Sequence, residues 1–180
     1  RENMPEGMIG AQGPANGGSY STTPMHDDYK PGGIDYFSEQ KVTYCDGEAQ
    51  RLPHEIFIGQ DGRAYDVHGN LVDTSGARVI SVDGKRTKTT GKAIFVMDSS
   101  GRIFIEMLPQ RYKFHHSTFI SGKSVAMAGE IQITNGQIVF INNNSGYYKP
   151  VGAFLENIKM ELISRGVEVS SIVFKNVSPF

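Results

Sequence analysis

The strongest constraint on the fold of this chain is the rhythm with which short apolar runs are interrupted by turn dipeptides. Ala93-Ile94-Phe95-Val96-Met97 and Arg102-Ile103-Phe104-Ile105-Glu106 flank Asp98-Ser99-Ser100-Gly101, while Gly129-Glu130-Ile131-Gln132-Ile133 and Gln137-Ile138-Val139-Phe140-Ile141 flank Thr134-Asn135-Gly136. An Asn-Gly pair between apolar runs is a strong local hairpin signal, because both residues tolerate positive φ. Both stretches are therefore predicted as β-hairpins. With 21 glycines in 180 residues, the chain has turn residues to spare and few runs long enough for helices.

Further strands are predicted at Lys41–Cys45, Glu55–Gly59, Arg63–Val67, Asn70–Asp73, Arg78–Val82 and Ser171–Lys175, each bounded by turn signals such as Asp46-Gly47, Asp61-Gly62 and Asp83-Gly84. One helix is predicted from about Val151 to Arg165. There Phe154, Leu155, Ile158, Leu162 and Ile163 recur at three- and four-residue steps, with Pro150 at the start and Gly166 at the stop. The expected class is α+β: mainly an antiparallel β meander with hairpins, and one C-terminal amphipathic helix packed on the sheet. Residues 1–35 lack periodicity and read as an irregular Gly/Pro-rich arm, ordered only against the body or a partner; residues 36–180 read as one domain.

The balance of 18 basic and 19 acidic residues gives a net charge of -1, which does not fit non-specific binding to nucleic acid. Lys85-Arg86-Thr87-Lys88 is the densest positive cluster and reads as a solvated loop, or as a guide toward a phosphate-rich target. Cys45 has no disulfide partner and reads as a small buried hydrophobe. No run approaches the roughly 18 apolar residues of a membrane helix. Opening on Arg1, the chain fits the tail of a longer polypeptide released by cleavage, and equally a cloning boundary. Phosphate-loop, His-Glu-x-x-His, Cys-x-x-Cys and Gly-x-Ser-x-Gly motifs are missing, which argues against the chemistry each supports.

Chemistry concentrates in three elements: Phe114-His115-His116-Ser117-Thr118-Phe119-Ile120-Ser121-Gly122, Ala128-Gly129-Glu130, and Ser145-Gly146-Tyr147-Tyr148-Lys149-Pro150. They resemble a domain at the C-termini of bacterial polymorphic toxins and secreted effectors, and a similar domain in plant calmodulin-binding proteins of the IQ-motif type. The family pattern has a His-Ser-Ser-Phe-Leu element, an Ala-Gly element and a Ser-Gly-His-Tyr-x-Pro element. The likeness spans Phe57 to Val173, and Tyr147 stands where the pattern has histidine. The resemblance implies a secreted protein acting in the cytoplasm of a target cell. Its partners would be an intracellular target protein or RNA in a host or competitor cell, and a cognate immunity protein.

With the block expected on strand ends, His115 and His116 point to opposite faces and cannot jointly hold a metal, so no metal site is predicted. One histidine would act with Ser117 and Thr118 to orient a ribose or diphosphate, while Glu130 stabilises an oxocarbenium-like transition state. Gly122 completes the block, and Tyr147 and Tyr148 would stack on a nicotinamide or adenine ring. In this reading the catalytic set is His115, His116 and Glu130, NAD is the substrate, and ADP-ribose is transferred to the target. Glu106 is the competing carboxylate. Two alternatives stand beside it. One is a metal-independent ribonuclease using His115 or His116, Lys113 and Tyr148. The other is a non-catalytic binding effector in which the histidine block is structural and a surface such as the arm at Arg1 to Asp35 meets a partner protein; for Tyr148 by itself, packing beneath the helix stands beside the stacking role.

Overall fold

The computed structural model describes residues 4–85 and 87–180. The chain is α+β. Its main sheet has five strands in the order β5-β4-β6-β7-β8: β4 is Ala93–Met97, β5 Ile103–Glu106, β6 Met127–Thr134, β7 Gln137–Asn142 and β8 Val173–Lys175. A small sheet joins β1 (Met8–Ile9), β2 (Phe57–Gly59) and β3 (Ala64–Tyr65), all antiparallel. Three α-helices accompany them: α1 (Tyr36–Lys41), α2 (Glu48–Arg51) and α3 (Leu155–Ser164).

Both expected hairpins form. Strands β4 and β5 pair through Val96 opposite Phe104, and β6 and β7 turn through Asn135 and Gly136, with φ of 53° and 80°. Two successive left-handed residues make the turn whose twist matches the flanking strands. Strand β8 lies parallel to β7, with Phe140 opposite Val173. The reason is topological: the connection passes through α3, and such a crossover returns the chain in the same direction. The helix itself begins at Leu155 after one 3-10 turn, Gly152–Phe154. It ends in paired bonds from Gly166 N to Ile163 O and from Val167 N to Leu162 O, with Gly166 at φ 84°.

Three expected strands do not form: Asn70–Asp73 makes only an isolated bridge, Leu71 to Tyr65, and the other two are Lys41–Cys45 and Arg78–Val82. Tyr36–Lys41 is helical, and the extended residues after it bond only through Thr43 N to Lys113 O and Cys45 N to Thr118 O. Their neighbour is a series of turns, so no ladder can extend. Arg78–Val82 makes a single bridge, Ile80 to Gln110, beside bonds from Arg78 N to Met107 O and Ile80 N to Pro109 O. Pro109 has no N–H to return, which interrupts a ladder there. Cys45 is buried and free. In the cluster Lys85-Arg86-Thr87-Lys88, Arg86 lies outside the described residues, as do the first three residues of the N-terminal segment.

Strand β4 is apolar throughout because both faces of the sheet are covered. Phe95 and Met97 join the cluster containing Ile131, Ile141, Ile158 and Leu162, beneath α3. Val96 points the other way, into a second cluster with Phe104, Phe119, Val125, Ala128, Tyr147 and Tyr148. The three chemistry-rich elements thus gather on the face opposite the helix.

From Met4 to Asp35 the N-terminal segment lies along this body. Its hold is the carboxylate of Glu161, fully buried on α3. Glu161 accepts from Gln12 N (2.9 Å), Gly13 N (2.9 Å) and the Tyr20 hydroxyl (2.8 Å), and pairs with Arg165 Nε at 2.6 Å. Arg165 in turn donates to Ile56 O and, at 2.6 Å, to Gly101 O. Gly101 has φ 96°, and a Cβ there would lie 2.4 Å from Glu161 Oε1. Removing one partner of a buried ion pair costs about 3–5 kcal/mol. Glu161→Ala is therefore expected to lose that much in urea denaturation and to expose residues 10–20 to protease in the still-folded protein. A loss below about 1 kcal/mol would refute the role given to this carboxylate.

Candidate functional site

The His115 block is not on a strand. Lys113 N and Phe114 N both bond to Gln110 O, and His116–Thr118 forms one 3-10 turn. His115 and His116 therefore do not alternate across a strand, yet their environments still differ. Tyr112, at φ 67°, turns its N–H onto His115 Nε2 at 3.0 Å. The imidazole edge of His115 is thereby an acceptor, and its face stacks on Tyr147 with centroids 4.6 Å apart. Tyr29, from the N-terminal segment, stacks on Tyr147 with centroids 4.0 Å apart, completing a three-ring stack.

His116 is buried and holds Gly129 O at 2.8 Å, so its Nε2 carries the proton and donates. Ser117 donates to Glu39 Oε2 at 2.9 Å, and the Tyr44 hydroxyl donates to the other oxygen of the same buried carboxylate. Thr118 Oγ1 accepts from His115 N at 3.0 Å. Gly122 (φ 72°) donates its N–H to Ser117 O, and a Cβ there would lie 2.8 Å from the Tyr44 hydroxyl. Tyr148 is buried and donates to Lys123 O at 2.8 Å. Gly129 is not an approach point for a ligand; Asn142 O would lie 1.9 Å from its Cβ. The close neighbour is the adjoining strand.

Glu130, on β6, sits opposite Ile94 and faces the site. Its Oε1 accepts from Asn142 Nδ2 (3.1 Å) and Asn144 Nδ2 (3.2 Å). A cleft of about 390 Å³ is walled by Tyr29, Gln110, Arg111, His115, Glu130, Asn144 and neighbouring apolar side chains. Across the ring stack lies a second hollow of about 260 Å³, bordered by Asp35, Phe37, Arg111 and Tyr112. His115, His116, Glu130 and Tyr147 thus share the larger cleft, while Ser117, Thr118, Gly122 and Tyr148 bond inward. Glu106 caps Met107 N and Leu108 N on the far edge strand, away from this cleft. Tyr29, Glu39, Arg111 and Tyr112 escaped the sequence reading. Tyr29 sits in an irregular segment, and the positive φ of Tyr112 has no sequence signature. Among the described residues, no three His, Cys, Asp or Glu side chains converge to hold a metal ion, and no helix is long and apolar enough to cross a membrane.

Burial pushes the His115 pKa down to about 4, reinforced by His116 and then Arg111. Burial also lowers that of His116, against the opposing pull of Gly129 O and Glu130. Tyr147 is pushed up, first by burial and then by Glu39, so it stays protonated. The folded protein therefore excludes protons that an unfolded histidine, with a pKa near 6.5, would take up. The stabilisation is complete above pH 6.5 and is lost as pH falls through that value toward 4. Between pH 6.5 and 5, wild-type stability is expected to drop by about 1–2 kcal/mol in urea titrations, with a shallower drop in His115→Gln. An unchanged slope in the variant would show that His115 is not held neutral by folding.

Comparison with known proteins bears on what this site serves. The profile of the IQ motif-containing protein middle domain matches residues 51–154. Two Arabidopsis thaliana proteins are similar. IQ domain-containing protein IQM3 is 30% identical over 81 residues, covering 45% of this chain and 18% of its own. IQ domain-containing protein IQM2 is 26% identical over 113 residues, covering 62% and 17% respectively. The chain thus spans less than a fifth of the length of these relatives. No solved structure matches. These findings overturn the expectation of a secreted toxin that transfers ADP-ribose from NAD, and with it the virulence and transferase assignments. The likeness to bacterial toxin domains is not supported, whereas the likeness to plant IQ-motif proteins is. By that match over more than half its length, the chain belongs to the IQ motif-containing protein middle-domain family.

Proposed function

We propose that this chain is a non-catalytic protein-binding domain whose recognition surface is the pair of hollows beside the Tyr29-Tyr147-His115 stack. One observation carries the reading: on the groups best suited to move protons, an atom that would do so is already hydrogen-bonded within the protein. His115 Nε2 accepts from Tyr112 N, His116 holds Gly129 O, Ser117 holds Glu39, and Tyr148 holds Lys123 O. What faces outward suits recognition. Arg111 lies 5.2 Å from the Tyr112 ring, and the exposed Phe37 and Val79 border the two hollows. Aromatic and arginine side chains around a small hollow are the usual anchors of protein interfaces.

The names of the relatives attach an IQ motif to those proteins, and the sequence resemblance to calmodulin-binding plant proteins also favours a protein partner. Contact here is not through a helix laid in a partner's groove. The longest helix has ten residues and buries Ile158 and Leu162 in the core. An extended segment crossing the stack fits better, with an acidic side chain for Arg111 and a donor for Glu130.

Panning a phage-displayed random peptide library on the folded domain tests this. Enriched peptides are expected to combine an acidic and an aromatic residue and to lose binding at least tenfold to Arg111→Glu and Tyr29→Ala. Enrichment indifferent to both variants, or none, would sink the proposed surface. Incubation with labelled NAD and with RNA tests the other half: turnover by the wild type that disappears in Glu130→Gln would make the domain an enzyme.

A further inference from the structure

A cleft of about 540 Å³ lies elsewhere, between the His54–Ile56 segment, the Leu71–Arg78 loop and the end of β5. Its walls are apolar where Ile56, Leu71, Val72, Ile105 and Met107 line it. Four carboxylates also line it, three of them engaged by backbone donors. Asp66 accepts from His68 N (2.9 Å) and Asn70 N (3.0 Å). Asp73 accepts from Ser75 N (2.9 Å) and Asn135 N (2.8 Å), and Glu106 from Met107 N (2.8 Å) and Leu108 N (3.3 Å). The fourth, the buried Glu55, is bonded by Arg102.

Arg78 is the exception. Its backbone N–H is fixed to Met107 O at 2.9 Å, which seats the residue on the cleft wall. Its guanidinium makes one long contact, Nη1 to Gly76 O at 3.4 Å. Nε is sealed from solvent with no acceptor, and among the described residues no carboxylate forms an ion pair with Arg78. A charged N–H sealed from solvent without an acceptor is costly, and the fork geometry of the half-buried guanidinium matches a carboxylate. We propose that this cleft binds an apolar carboxylic acid, its carboxylate on Arg78 and its hydrocarbon body along Leu71, Ile105 and Met107. The site is separate from the ring stack and does not depend on the protein-binding role proposed there.

Isothermal titration of the whole chain with octanoate, 1-octanol and octylamine discriminates among the possible occupants. A charge-assisted bond favours the acid over the alcohol by about tenfold or more. Arg78→Met, which keeps the apolar stem, is expected to erase that preference with the far-UV spectrum unchanged. Arg78→Lys keeps the charge, guards against misfolding of the first variant, and is expected to retain part of the preference. Equal affinity for acid and alcohol, preference for the amine, a preference that survives Arg78→Met, or no binding of octanoate below its aggregation limit would each overturn the assignment.

Discussion

One carboxylate ties the two ends of this chain together. Glu161 is buried on α3, where an isolated charge would be prohibitively costly, and four donors from three parts of the chain make it tolerable. Two come from the backbone at Gln12 and Gly13, one from Tyr20 and one from Arg165. Arg165 extends the network to Ile56 O beside β2 and to Gly101 O in the β4-β5 turn. Because each partner is satisfied only when the others are in place, the N-terminal segment, the small sheet and the helix form one cooperative unit. A hydrophobic contact of the same size would not impose such a specific arrangement.

The site inherits its geometry from that unit. Pinned at Gln12–Tyr20, the N-terminal segment continues through a bridge between Thr23 and Val125 and a bond from His26 N to Tyr147 O, delivering Tyr29 onto Tyr147. A second buried carboxylate, Glu39, performs the same service on the other side. It gathers Tyr44 and Ser117, and so fixes the turn that carries both histidines. Burial raises the pKa of Glu39, while its two hydroxyl donors pull it down. Residue types that look catalytic in the sequence are thus the ones needed wherever irregular backbone is buried and every polar group requires a partner.

This explains what could be read from the sequence. Hairpins β4-β5 and β6-β7 and helix α3 were legible because turn chemistry and apolar spacing are local properties of the chain. The parallel direction of β8 follows from the crossover, which no periodicity reports. The stretch after Lys41 alternates like a strand but faces turns, so its pattern found no ladder to join. The histidine block reads in the sequence as dense in chemistry and not as structured: its turn depends on Tyr112 at positive φ and on Glu39, 78 positions from Ser117. Tyr29 could not be nominated because its partner, Tyr147, lies in another element altogether.

The two clefts are not isolated from one another. Bonds from Arg78 N to Met107 O, Ile80 N to Pro109 O and Arg111 N to Ile80 O join two extended segments, bridged once at Ile80 and Gln110, into one wall. Arg78 and Met107 line the apolar cleft on one side of it; Val79, Pro109 and Arg111 line the hollow beside the ring stack on the other. Alternation along an extended chain places successive side chains on opposite faces, so one short segment serves both. Pro109 keeps the pairing to a single bridge, since it removes one of the donors that would have zipped the segment into a regular sheet.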